Sequence, residues 1–260
     1  MLDIIWTSAA LVVGFVTFVW LLSVLKKDMS IVDIAWGMGF VAVAVYQITR
    51  LDPILPRQFL VMYLVGLWGL RLSVFLAIRN LGKGVEDPRY QAFRADWGAN
   101  TWWISYFKVF LLQGVLMLII VGPVHAVVLD DGGSIGVLAI FGVILWIIGF
   151  LFESVADWQL YAFKRNPDNK GKVMNQGLWG WSRHPNYFGE TLVWWGLMCI
   201  VLETSYWYLG VLSALLITFL LLKVSGVTML EARYDGNDKY AAYKRNTSAF
   251  IPRPPKKSAE

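Results

Sequence analysis

The sequence predicts an all-α, polytopic membrane helical bundle of about seven transmembrane helices, with the N-terminus outside and the C-terminus cytoplasmic. Two observations carry the fold class. Of 260 residues, 57% are hydrophobic and 16% charged, and the mean hydropathy is +0.55, a balance foreign to water-soluble chains of this length. A third observation, the placement of Lys and Arg about the apolar runs, carries the orientation.

Runs of the roughly 20 apolar residues needed to cross about 30 Å of hydrocarbon fall at about 4–25, 30–49, 58–79, 106–128, 135–162, 187–203 and 207–229. Span one has no basic leader and no small-residue cleavage site, so it is predicted to be a retained anchor. Lys26 and Lys27 follow it. Arg79, Lys83, Arg89, Arg94 and Lys108 separate spans three and four, and Lys164, Arg165, Lys170, Lys172 and Arg183 separate spans five and six. Arg233 to Lys257 fill the tail, whereas the opposite side holds only Arg50, Arg57, Asp130, Asp131 and Glu203. The basic side is cytoplasmic, which requires an odd number of spans. Topology and anionic lipid headgroups account for the formal charge of +5, so no nucleic-acid partner is predicted. No repeat or long linker divides the chain, and residues 1–260 read as a single transmembrane domain with a cofactor-binding half at about 150–252.

Cys199 is the single cysteine, and His125 and His184 are the two histidines. No intrachain disulfide is possible and no Cys/His metal-ligand set exists, so no metal is predicted.

The densest chemistry lies in Gly177-Leu178-Trp179-Gly180-Trp181-Ser182-Arg183-His184-Pro185-Asn186-Tyr187-Phe188-Gly189-Glu190. Pro185 suits the first turn of a helix, where its missing N–H costs nothing. Arg183 and His184 then sit at the helix mouth. Asn186 and Glu190, four apart, share one face, so an amide and a carboxylate converge on one bound group.

Ionisable residues within spans cost roughly 2.5–3.5 kcal/mol each on insertion scales, so they face a cavity or a partner. Asp33 opens span two, as a helix cap or as a buried acid. Arg71 lies in span three, and Lys223 and Glu231 lie in or near span seven. Glu153 and Asp157 share a face of span five that continues through Tyr161 to Lys164. These acids either line a pocket or pair with Arg71 or Lys223 inside the bundle.

The charged and aromatic stretch from Gly82 through Tyr90 to Gly98 reads either as a lid or as an interfacial loop, with Trp102 and Trp103 at headgroup level. In the tail, a short helix capped at Asn237 places Tyr240 and Tyr243 on one face, either over a flat ligand or along the membrane surface. Arg253 to Glu260 is expected to be a solvated terminus.

In the Ser182–Glu190 motif, in Glu153 and Asp157 with Lys164, and in Tyr243 through Phe250-Ile251-Pro252, the chain resembles the steroid 5-alpha-reductase superfamily. The resemblance is closest to its bacterial branch called domain of unknown function 1295, and it covers much of the chain. It implies a multi-pass protein of the bacterial inner membrane with NADPH as cofactor, entering from the cytoplasm. Asn186 and Glu190 would hold the nicotinamide carboxamide, Asp157 the sugar or adenine part, Lys164 and Arg183 the phosphates, and Tyr234 or Tyr243 the far wall. His184, Tyr187, Glu231, Arg233 and Tyr240 complete the implied cofactor set. The implied reaction is reduction of a carbon–carbon double bond in a lipid or steroid-like substrate, with Asp33, Glu153 or Tyr90 as the acid. Where steroid-reducing members carry a Tyr in span three, this sequence has Leu67, Trp68 and Arg71.

Two other classes fit parts of the pattern. Isoprenylcysteine and phospholipid methyltransferases share an Arg-His-Pro-x-Tyr helix start and a terminal Glu with downstream tyrosines, matched by Glu231, Tyr240 and Tyr243. Their S-adenosylmethionine is a cation suited to carboxylates and aromatic faces. A transporter or lipid-binding protein would use the inward acids as an ion path, but the polar residues gather at one end of the spans.

Overall fold

The computed structural model describes residues 2–80 and 85–255; Lys83, with Gly82 and Gly84, and Lys257 lie outside the described residues. The architecture is all-helical, and the β feature among the described residues is an isolated bridge between Ser182 and Ser248. The helices in chain order are α1 (Leu2–Lys26), α2 (Ile31–Ile48), α3 (Pro56–Asn80), α4 (Pro88–Trp97), α5 (Thr101–Ser105), α6 (Leu112–Ile120) and α7 (Gly122–Val128). They continue with α8 (Val137–Arg165), α9 (Leu178–Trp181), α10 (Pro185–Val201), α11 (Trp207–Phe219), α12 (Val227–Ala232) and α13 (Asp238–Asn246).

Six helical runs are long and apolar enough to cross a membrane: α1, α2, α3, the run Pro88–Ile120, α8 and the run Trp207–Ala232. They correspond to six of the seven predicted spans. The remaining one is α10, at 17 residues, about 25 Å at 1.5 Å per residue and so shorter than a typical hydrocarbon core. The two composite runs each contain a π-helical stretch, Tyr106–Leu111 and Leu220–Val224. The predicted fourth span stops early because Pro123, in the first turn of α7, lacks the N–H that would continue α6.

The stretch read as a lid or loop is instead helix α4 from Pro88 onward. Asp87 caps it by accepting the N–H of Arg89, and Pro88 occupies the first turn, a pairing of residue types that favours helix initiation.

The chain divides into two compact units, Met1–Gly136 with Val201–Leu212, and Val137–Ile200 with Ser213–Glu260. In the first, α2 and α3 cross where Gly37 meets Gly69; a Cβ on Gly69 would lie 2.5 Å from the Gly37 carbonyl oxygen. Trp68 and Phe40 are fully buried there, edge to face at 5.4 Å. Three of the charged residues predicted for the outer side, Arg57, Asp130 and Glu203, gather into one cluster, while Arg50 pairs with Asp3. Buried Arg57 pairs with Glu203 at 2.8 Å and with Asp130 at 4.0 Å, and Asp130 accepts the N–H groups of Gly132 and Ser205. A guanidinium buried this deeply is tolerable because two carboxylates flank it, although its Nε has no hydrogen-bond partner.

In the second unit, α8 and α10 run past one another on two glycine pairs. A Cβ on Gly142 would lie 2.5 Å from the Gly196 carbonyl oxygen, and one on Gly189 would lie 2.6 Å from that of Gly149. The pairs are seven residues apart on both helices, so one stripe of each backbone is in near contact. This crossing sets the spacing of the polar residues one turn further along.

Candidate functional site

The second unit assembles most of the predicted site residues. Glu153 and Asp157, one turn apart on α8, are both buried, at 2% and 7% exposure. Gly189 on α10 sits against the backbone of Glu153. That close approach brings Asn186, one turn earlier on α10, to Asp157: the amide Nδ2 donates to Oδ1 at 3.1 Å. Glu190 lies four residues beyond Asn186 on the same face and is half-buried. Glu153 and Asp157 thus lie one turn apart on α8, and an amide from α10 joins Asp157.

The mouth of α10 is built by the tail. Arg183 is buried, and its Nε donates to Glu231 at 2.7 Å while Nη1 donates to the carbonyl oxygens of Thr247 at 2.6 Å and Lys244 at 3.2 Å. Those carbonyls end α13, where a cation is favoured by the helix dipole and by the unpaired acceptors. Lys244 Nζ reaches the other oxygen of Glu231, Oε2, at 3.0 Å, and His184 Nε2 lies 3.4 Å from Oε1, the oxygen that Arg183 engages. Two fixed cations share one carboxylate, so the mouth keeps a positive surplus. The tail is bound further by Ser182 Oγ donating to the Phe250 carbonyl, by Arg253 N–H donating to the Trp181 carbonyl, and by Tyr243 hydroxyl donating to the Trp179 carbonyl. Arg253, Pro254 and Pro255 are nevertheless exposed, as expected of a solvated terminus.

Tyr240 and Tyr243 lie on α13 as predicted, 5.7 Å apart edge to face, and Tyr234 stacks on Tyr240 at 4.3 Å. Asn237 caps α13 by accepting the Tyr240 N–H. Burial pushes the Tyr240 hydroxyl up to about 12 and the Tyr243 hydroxyl higher still. Both remain neutral donors through the physiological range. Tyr187 stacks on His184 at 5.6 Å. Lys164 and Arg233 are exposed.

The model for the family of proteins of unknown function DUF1295 matches residues 19–247, which include every site residue predicted from the sequence. The chain belongs to the DUF1295 family. A search of curated proteins found an uncharacterized protein of Schizosaccharomyces pombe, 24% identical over 205 residues, which cover 62% of this chain and 59% of that protein. It also found the probable O-methyltransferase UstE of Ustilaginoidea virens, 41% identical over 51 residues, 20% of this chain and 18% of that enzyme. The matched part of the chain spans about three-fifths of the first relative and under a fifth of the second. No solved structure matches the chain.

In this DUF1295 protein the remaining acid candidates belong to the first unit. Asp33 stands in the first turn of α2, but Ser30 is the residue at the cap position. The Asp33 carboxylate instead accepts from Arg89 Nη2 at 2.5 Å and from the Tyr90 hydroxyl at 2.8 Å. Arg89 and Tyr90 are therefore anchored to α2. Arg94 similarly clamps Glu86 through two bonds of 3.0 Å, and Glu86 accepts the Met29 N–H. The sequence reading missed the partners of Asp33, of Arg183 and of Arg57, since pairings across 48 to 146 positions leave no local signal. Among the described residues no group of three His, Cys, Asp or Glu is placed to hold a metal ion.

Burial pushes the His184 imidazole down to about 4, with Arg183 and Lys244 contributing and Glu231 opposing. The unfolded chain, with an ordinary value near 6.5, then binds the proton more readily than the folded chain does. Stability is expected to fall as pH drops from about 6.5 to about 4, by about 3 kcal/mol at the lower end. Denaturant midpoints measured across that window, on wild type and on His184→Gln, check this; a wild-type slope shared by the variant would assign the effect elsewhere.

Proposed function

We propose that the protein is a membrane-embedded, NADPH-dependent reductase of a carbon–carbon double bond in a lipid or steroid-like substrate. It would belong to the steroid 5-alpha-reductase superfamily and act in the bacterial inner membrane, with its cofactor taken up from the cytoplasm. The observation that carries the reading is the Asn186 and Glu190 pair on α10, with Asp157 fixing the amide. A carboxamide offers one NH2 donor and one carbonyl acceptor. Glu190 can accept from such a donor, and an Asn amide that gives one N–H to Asp157 retains a second for a carbonyl. The positive surplus about Arg183 and Lys244 suits the anionic phosphates of NADPH and disfavours the cationic S-adenosylmethionine. DUF1295 membership supports the same reading through the sequence resemblance.

NADPH supplies the hydride. The chain's own residues bind, orient and protonate. Asn186, Glu190 and Asp157 hold the carboxamide, and Arg183, Lys244 and the more exposed Lys164 attract the phosphates. Of the three acids proposed from sequence, Glu153 is the preferred proton source. It is buried one turn from Asp157 in the same unit, whereas the single O–H of Tyr90 is directed at Asp33 and Asp33 faces a guanidinium.

A second reading, a membrane methyltransferase, is favoured by one observation, the short stretch shared with a probable O-methyltransferase. Calorimetric titration of the detergent-purified protein with NADPH, NADH and S-adenosylmethionine in parallel separates the two. Preferential binding of NADPH is expected; binding of S-adenosylmethionine alone would replace the reductase by the methyltransferase.

A further inference from the structure

Two stretches of the second unit carry cations and no acid. Residues 169–189 hold Lys170, Lys172 and Arg183, and residues 239–253 hold Lys239, Lys244, Arg245 and Arg253. The fold pairs these stretches. Lys239 Nζ donates to the Gly171 carbonyl at 3.3 Å, the Arg183 N–H to the Ser248 carbonyl at 2.9 Å, and the Arg253 N–H to the Trp181 carbonyl at 2.9 Å. Glu231 offsets Arg183 and Lys244, and the seam as a whole stays basic. At its α10 end, apolar side chains stand beside the cations: Trp181 is 49% exposed and Ile251 54%. Both lie outside the long apolar spans. Large apolar side chains left open there and rimmed by cations mark a surface that meets the lipid headgroup layer. Pro252 and Pro254 follow Ile251 and Arg253 and favour extended backbone at both. Residues two apart on such backbone project to one side, so Ile251 and Arg253 act together beside Trp181. Trp181 lies four residues before the start of α10, whose 17 residues span about 25 Å, roughly 5 Å short of a typical hydrocarbon core. A short span is accommodated by local thinning and by flanking residues that reach into the headgroups. Trp181 and Arg253 supply that reach.

We infer that Trp181, Ile251 and Arg253 form a docking site for an anionic phospholipid, with the guanidinium on the phosphate and the two apolar side chains among the glycerol and upper acyl atoms. A guanidinium fork donates two bonds to a phosphate. The surrounding cations favour an anionic headgroup over a zwitterionic one. The site shares no residue with the carboxamide clamp and stands independently of the reductase reading.

The experiment titrates the protein, purified in an uncharged detergent, with phosphatidylglycerol, phosphatidylcholine or inorganic phosphate, and reads the thermal midpoint. Wild type is compared with Arg253→Gln, Trp181→Leu and, as a charge control at the basic end of the first unit, Lys26→Gln with Lys27→Gln. Phosphatidylglycerol is expected to raise the wild-type midpoint saturably and at lower concentration than phosphatidylcholine. Arg253→Gln should need about fivefold more, the equivalent of about 1 kcal/mol for one cation at an anionic surface. Trp181→Leu should also need more, and the Lys26 and Lys27 variant should saturate as wild type. The Arg253 bond to Trp181 is made by main chain, so Arg253→Gln should unfold as wild type in detergent alone. Equal responses to the two lipids, or wild-type saturation in both Arg253→Gln and Trp181→Leu, would overturn the site. An equal loss in the Lys26 and Lys27 variant would assign the effect to overall charge and overturn it as well. A shift reproduced by inorganic phosphate would make the ligand a free anion and remove the lipid.

Discussion

Gly189→Leu is expected to prevent α8 and α10 from docking. A Cβ at this position would lie 2.5 Å from the backbone nitrogen of Glu153 and 2.6 Å from the carbonyl oxygen of Gly149. Both neighbours are main chain, so no rotamer change makes room and the two helices must separate. Overpacking of this kind costs about 3 kcal/mol or more, and it moves Glu153 and Asp157 away from Asn186 together. The expected result is a lowered thermal midpoint with loss of cofactor binding. Gly66→Ala on α3 is the control, because a Cβ there meets nothing within 4 Å, and removing a helical glycine is neutral or mildly stabilising. Equal midpoints for Gly189→Leu and wild type would show that the glycine contact is not what sets this crossing.

Arg183→Met is the second large effect. The guanidinium is buried and joins Glu231 to two carbonyls at the end of α13. Removing it strips Glu231 of its shorter partner and leaves those carbonyls short of a donor. Breaking one side of a buried pair costs about 3–5 kcal/mol, and here the loss falls on the attachment of the tail. Accelerated proteolysis between Gly226 and Arg253, with a lower denaturant midpoint, is the expected outcome. Lys244→Met tests the same carboxylate from its exposed side, where the lysine side chain is 37% accessible, and should cost under about 1 kcal/mol. If the two substitutions cost the same, Arg183 does not organise the tail.

The sequence exposed the helices and the main motif because both are local signals. Apolar runs located six long helical segments, Pro185 marked the start of α10, and Asn237 marked the start of α13. The four-residue spacings of Glu153 with Asp157 and of Asn186 with Glu190 gave their shared faces without knowledge of the fold. The contacts between elements were not legible. The Asp157 bond to Asn186 depends on how closely α8 and α10 approach, which four glycines decide, and a seven-residue glycine spacing on each helix was the one available signal. Asp33 looked like a cap because it opens a helix; its engagement of Arg89 and Tyr90 follows from chain geometry 56 and 57 residues away. The helix at Pro88 was legible in Asp87-Pro88 but was masked by the charge of the surrounding stretch.

The carboxamide clamp is the central claim, and NADPH titration of Asn186→Ala and Glu190→Ala against wild type tests it most directly. Each side chain is half-buried, so both variants should fold and insert, as size exclusion and thermal unfolding would verify. Each is expected to lose roughly tenfold or more in NADPH affinity, as removal of a hydrogen bond to a desolvated group does. Wild-type affinity in both variants, with unfolding unchanged, would contradict the clamp and with it the reductase reading.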